Sequence, residues 1–243
     1  MPACLARLIF IAALGCVLSA CTTTDPTTTA AATPMSPPSS DAITPLPTHP
    51  EIRAALLELK TRDQAARAKL VSLLSEITPG PDGAMQINAE QMVVMNEVSA
   101  IDAESTAYLK SVVAEHGWPT KSMVAEDGAQ AAWLLVQHAD ADPQFQAHAL
   151  ELMEPLLTRN EVNPRNVALL TDRVLTGRNE PQRYGTQFAD DEHGVMRPLP
   201  LEDPSNVDAL RAAVGLPPLA AYAEQLSTAY GQPTSVEPLP SSQ

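Results

Sequence analysis

AAWLLVQHADADPQFQAHALELM, residues 131–153, decides the fold. Ala131, Leu134, Leu135 and His138 recur at three- and four-residue spacing, which places them on one face of a helix. Trp133 and Gln137, four apart, line the neighbouring stripe. The pattern breaks at Asp140-Ala141-Asp142-Pro143, where an acid followed by proline marks the start of a new helix. Helix, break and helix, with no alternation of period two, predict a mainly α domain.

Working outward, the third helix covers about Gly128 to Ala139, and the fourth runs from Asp142-Pro143 to about Thr158. Asn163-Pro164 opens a fifth that reaches about Thr176. Upstream, Thr48 or His49 before Pro50 marks the first helix start. Ile52, Leu56, Leu59, Leu70, Leu73, Leu74 and Ile77 then recur at helical spacing up to Pro79. Gly80, Asp82 and Gly83 make a turn. Asn88 with Gln91 is a capping box for a long second helix to His116, closed by Gly117 and Pro119. Downstream, Gln182–Phe188 and Val195–Leu201 are short strands around the turn at 190–194, a small β-hairpin. Asp203-Pro204 reopens a helix ending at Gly215, and Leu219–Ala229 is the last. The fold class is therefore an irregular multi-helix domain, residues 50–230, with one small β-hairpin.

The N-terminus has a different character. Arg7 precedes an apolar run from Leu8 to Val17 that has the length of a signal peptide and is too short to span a bilayer as a mature helix. Leu18-Ser19-Ala20-Cys21 follows, and it resembles the lipobox of bacterial lipoproteins. That resemblance implies that residues 1–20 are a signal peptide and that the Cys21 thiol receives a diacylglycerol. The new amine is then acylated with a palmitate-like chain. Thr22 in place of aspartate implies, by resemblance to enterobacterial sorting, the outer membrane as the site of anchoring, with the domain in the periplasm or at the surface. After Cys21, residues 22–49 are mostly Thr, Ser, Pro and Ala with two acids, and seven prolines run from Pro26 to Pro50. Such a segment cannot bury enough apolar surface to offset its ordering entropy, so a disordered tether is expected. Pro233, Pro238 and Pro240 give the end of the chain the same look, and 231–243 reads as a disordered tail.

Composition narrows the function. The 243 residues include 29 acids and 15 bases, a net charge of -14, which argues against a nucleic-acid partner. Of three cysteines, Cys4 and Cys16 leave with the signal and Cys21 becomes a thioether. A cysteine enzyme and thiolate metal ligation are thereby excluded. Hydrophobic residues at 44% with aromatics at 4% predict an aliphatic core. No GxSxG, Walker or dinucleotide glycine motif occurs, and no cofactor is implied. His138, His148, Asp140 and Asp142 suggest a metal only loosely: HExxH is missing, and Asp140-Ala141-Asp142 lacks the glycine and glutamate of a calcium loop. No metal site is assigned.

The polar residues with the strongest claim to function lie between 116 and 188. Their segments are GWPTKSMV (117–124), AAWLLVQHADADPQFQ (131–146), LLTDRV (169–174) and QRYGTQF (182–188). Together with VDALRAAVGLPPLAAY (207–222), they resemble the bacterial domain-of-unknown-function family numbered 6624, over roughly residues 55–225. The resemblance implies a fold and a shared polar cluster, and it brings no activity. Ala125 departs from it, since glycine is expected there.

A half-buried imidazole needs hydrogen-bond partners, and Asp172 and Arg173 lie on a helix apolar almost all round, so they need partners too. The simplest arrangement sets Asp172 or Asp140 beside His138. Arg173, Gln137 and Gln187 would complete a pocket roofed by Trp118 and Tyr184. Three functions follow. One is a membrane-anchored envelope lipoprotein, held through Cys21, whose polar cleft takes a small molecule or an envelope protein. Another is a hydrolase-like enzyme with His138 as general base and Asp172 or Asp140 as its carboxylate. The third is a structural or interaction protein whose polar cluster only fixes packing. For His138, for the Asp172–Arg173 pair and for Trp133 a structural role stands beside the functional one; Trp118 suits either.

Overall fold

A computed structural model describes residues 46–74, 87–191 and 193–240. The signal, lipobox and tether up to residue 45, the turn at Gly80–Gly83 and the last three residues lie outside them. The described residues contain seven α-helices, a 3₁₀ segment and one two-stranded hairpin. None of these helices is long and apolar enough to cross a membrane.

Helix α1 spans Pro50–Leu74 and α2 spans Ala89–His116. The α1 stripe Ile52, Leu56, Leu59, Asp63, Ala66 and Leu70 is buried at spacings of four and three. One of its members is an aspartate. Enclosing Leu56, which is fully buried, contributes about 2 kcal/mol. Asn88 and Gln91 form the expected reciprocal cap on α2, and Gly117 closes the helix with its N–H on the Val113 carbonyl. Arg62 meets Glu104 while Gln91 reaches back to the Leu73 carbonyl, so α1 and α2 run antiparallel.

Helix α3, Lys121–Gln137, is the axis of the domain. Every residue from Ala131 to Ala139 is buried. Its first turn is interrupted at Val124 and Ala125, and Ala125 has φ 60° and ψ 174°. The regular helix starts after this break, close to the Gly128 expected from the sequence. Gly128 is required: a Cβ there would lie 2.9 Å from Val124 Cβ and 3.2 Å from Arg53 Cγ of α1. The chain before α1 is tied to this same end. The N–H of Thr48 and of His49 donate to the carbonyls of Ser122 and Met123.

Helix α4 spans Pro143–Met153, shorter than expected, because a 3₁₀ segment at Glu154–Arg159 takes over at Pro155. Helix α5 is Pro164–Gly177, capped by Asn163. Strands β1 (Phe188–Asp190) and β2 (Met196–Pro198) pair antiparallel, with Phe188 opposite Pro198. They are shorter than the pattern predicts because the backbone N–H groups of residues 183, 184 and 186 are held by a side chain, as described below. Helix α6 is Val207–Ala213 and α7 is Leu219–Tyr230. Asp203 shapes a turn ahead of α6 by accepting from Ser205. The hairpin, α6 and α7 enclose a second apolar cluster of Phe188, Met196, Val207, Leu219, Tyr222, Ala223 and Leu226.

The expected disordered tail at 231–243 is corrected over residues 231–240. Met196 N–H donates to the Pro233 carbonyl, Ser235 N–H to Met196, and Leu239 N–H to Pro198. The segment lies along the free edge of β2, with Arg197 holding Ser235 and Glu237. Prolines suit this edge because their carbonyls accept while other residues donate.

Candidate functional site

The end of α3 sends two consecutive side chains into two different polar clusters. His138 is 3% exposed. Its Nδ1 lies 2.9 Å from Asp63 Oδ1 on α1. Arg67 Nε donates to that same oxygen at 2.8 Å, and Arg67 Nη2 donates to Asp102 Oδ1 on α2 at 2.5 Å. Gln64 donates to the other Asp63 oxygen. Burial opposes the Asp63 carboxylate, but the hydrogen bond from His138 and the charge of Arg67 outweigh it and hold the carboxyl below its ordinary value. The balance at Asp102 goes the other way. Burial pushes that carboxyl up despite Arg67. One oxygen from each aspartate and one imidazole nitrogen lie within 4.8 Å of one another.

The carboxylate at His138 is therefore neither Asp172 nor Asp140, and this corrects the expected arrangement. Asp63 went unnoticed although it carries a signal: it occupies an apolar position of the α1 stripe. Asp102 is adjacent to the buried Ile101 and carries no such mark.

Gln137 faces α5. Arg173 Nε donates to Gln137 Oε1 at 2.7 Å, and Arg173 Nη1 donates to Asp140 Oδ1 at 2.7 Å. Gln146 Nε2 also donates to Asp140, at 3.0 Å. This cluster reaches the surface at Asp140, whose side chain is 49% exposed. The Gln137 amide orientation is fixed, since Arg173 can only donate. Its Nε2 is enclosed and has no acceptor. Such a donor carries a penalty of about 1–3 kcal/mol until something accepts from it.

Asp172, fully buried, belongs to a third cluster. Its carboxylate accepts from the N–H of Arg183, Tyr184 and Thr186 and from the Thr186 hydroxyl. Burial pushes the carboxyl up, and the three backbone N–H groups oppose this. Arg211, also fully buried, closes the same loop by donating to the carbonyls of Tyr184, Gly185 and Pro217. Its guanidinium lies over the Tyr222 ring at 4.8 Å. Gln187 is bound within the loop through Gln182 and Thr186. Arg211 was missed, and its trace is a cation four residues after Val207 on a short helix.

Trp118, 4% exposed, roofs none of these. It lines a narrow cleft with Trp133, Met153, Val162, Asn163 and Asn166, and Trp133 Nε1 donates to the Asn166 carbonyl. Tyr184 sits with Asp172, so the common roof expected for these two residues does not form. The loose metal set also separates. Asp142 caps α4 and pairs with Lys110, while His148 lies beside Glu151 on the surface. Cys21 lies outside the described residues.

The model of a family of unknown function, DUF6624, matches residues 50–234. None of the curated proteins and none of the solved structures matches.

Proposed function

The chain belongs to the DUF6624 family of unknown function over residues 50–234, and from that premise we propose a lipid-anchored envelope protein whose helical domain takes a ligand at Gln137 and Arg173. Anchoring rests on Leu18-Ser19-Ala20-Cys21 after the apolar run. The family match starts just past the tether, which leaves residues 1–49 free to act as leader, anchor and spacer. Several acyl chains on one cysteine hold a protein on a bilayer far more firmly than one, at about 0.8 kcal/mol per buried CH₂.

The observation that carries the ligand reading is the enclosed Gln137 Nε2 without an acceptor, next to the guanidinium of Arg173. A ligand bearing a carbonyl or carboxylate oxygen supplies what Gln137 lacks. His138 is not placed in this site. It is enclosed against Asp63 and Arg67, with no approach for a substrate, so the hydrolase-like reading has only the Asp63–His138 hydrogen bond to support it. The role in packing suits Asp172, whose four donors account for its carboxylate.

Two measurements test the proposal. Cys21→Ala moves the protein from the membrane fraction to the soluble envelope fraction; equal membrane retention in the variant overturns the anchor. A thermal-shift screen of amino acids, short peptides and sugars compares wild type with Gln137→Leu and Arg173→Ala. A hit that stabilises both variants as much as wild type removes this cluster from consideration.

A further inference from the structure

We propose that Asp63, Asp102 and His138 form a divalent-cation site of zinc or manganese chemistry, which Arg67 holds closed when the ion is away. The site is independent of the Gln137–Arg173 cluster. Each of α1, α2 and α3 contributes one ligand, two carboxylate oxygens and one imidazole nitrogen, a donor set suited to first-row divalent ions. His138 Nδ1 and Asp63 Oδ1 are 2.9 Å apart. With metal–ligand bonds of about 2.1 Å that is the edge of about 3.0 Å between octahedral neighbours, and about half an ångström short of a tetrahedral edge. The third atom lies within 4.8 Å of both, so closure asks for movement of about an ångström or two from the least buried member, Asp102, whose side chain is 22% exposed.

Charge points the same way. Asp63, enclosed, and Asp102, 22% exposed, both accept from the one guanidinium of Arg67. A dication matches both. Arg67 now makes the two contacts that an ion would make. Its long flexible side chain is buried but reaches Asp102, where the cluster meets solvent, so it can withdraw in that direction and keep its charge. An ion taking the Nδ1 lone pair leaves the ring proton on Nε2, since a ligating imidazole is neutral.

The test uses the full chain stripped with EDTA, with zinc or manganese chloride alone as probe, read by equilibrium dialysis and thermal denaturation. Wild type is expected to take up one ion per chain and to melt several degrees higher with about a hundredfold excess over Kd. Asp102→Asn should weaken uptake at least tenfold. Arg67→Met should melt lower than wild type without metal and gain more from it, because the competing cation is gone while both carboxylates remain. His116→Ala should bind like wild type, which separates this site from the partly exposed His49–His116 pair, whose rings lie 4.7 Å apart. The proposal falls if wild type takes up no ion. It falls equally if uptake survives in Asp102→Asn, if it is lost in His116→Ala, or if only Arg67→Met binds. The Arg67→Met comparison stands even if Asp102→Asn fails to fold.

Discussion

Asp63 and Asp172 are both aspartates buried on helices, and they are satisfied in opposite ways. Asp63 is met by two side chains on its own helix, Gln64 and Arg67, and by an imidazole from α3, 75 residues away. Asp172 is met by three backbone N–H groups and a hydroxyl from a loop 11 to 14 residues on. Both have their lone pairs filled, yet the Asp63 carboxyl is held below its ordinary value and the Asp172 carboxyl is pushed above it. Dipoles can saturate the hydrogen-bonding capacity of a carboxylate without offsetting the loss of water around its charge; a nearby cation can. The first arrangement ties three helices together. The second builds a loop.

The largest effect that tests this contrast is at the loop. Asp172→Ala leaves three N–H groups without acceptors in the interior and is expected to cost about 4 kcal/mol in urea denaturation. Asp172→Asn should rescue little of it, because the amide turns two donors toward donors. A cost below about 1 kcal/mol would mean that the loop finds other acceptors. Next in size is Asp63→Asn, expected at about 3 kcal/mol, since Arg67 loses a buried anion. Asp102→Asn should cost about 1 kcal/mol, because burial already works against that charge and Asp63 still holds Arg67.

These two variants also separate in pH. The folded Asp63 carboxyl titrates below the ordinary 3.8, so its contribution is present above that value and is lost as pH falls below it. The folded Asp102 carboxyl titrates above 3.8, so its contribution is present at lower pH and is lost as pH rises through the raised value. Stability against pH should therefore be flatter below 3.8 in Asp63→Asn, and should climb more steeply just above 3.8 in Asp102→Asn. Identical slopes in the two variants would erase the distinction between them.

How legible each region was in the sequence follows from the same difference. Helix starts and stops were readable because their chemistry is local: Asn88 with Gln91, Gly117, Asp142-Pro143 and Asn163-Pro164 each act within one turn. The burial of His138 was readable from its place on the α3 face. Its partner was not, because nothing in a linear pattern says which of many acids comes to lie against α3. The nearest hint was Asp63, standing where α1 wants an apolar side chain. For Asp172 the need for partners was plain from its apolar surroundings, but the donors were backbone groups, which every residue has and no sequence marks. The hairpin is shorter than its sequence pattern for that reason. Its flanking N–H groups serve the Asp172 carboxylate instead of the ladder. The tail departs from its composition because proline content signals disorder only when no edge is waiting for the carbonyls.

The smallest effect expected lies in the backbone that sets the start of α3. Ala125 has φ 60° with ψ 174°, a region open to glycine and costing other residues about 1–3 kcal/mol. Glycine at this position loses more freedom on folding, which returns roughly 0.5–1 kcal/mol of that gain. Ala125→Gly is therefore expected to stabilise the protein by about 1 kcal/mol, a rise of a few degrees in Tm for a domain of this size. The substitution touches neither Asp63 nor Asp172, so the curve of stability against pH should shift upward without changing slope at either carboxyl. An unchanged or lower Tm would mean that the kink does not strain Ala125, and the glycine that the family resemblance implies there would then need a reason other than backbone conformation. A change of slope would mean that the angle of α3 is coupled to the position of His138 at its far end, and the two clusters could no longer be treated as independent of the backbone that carries them.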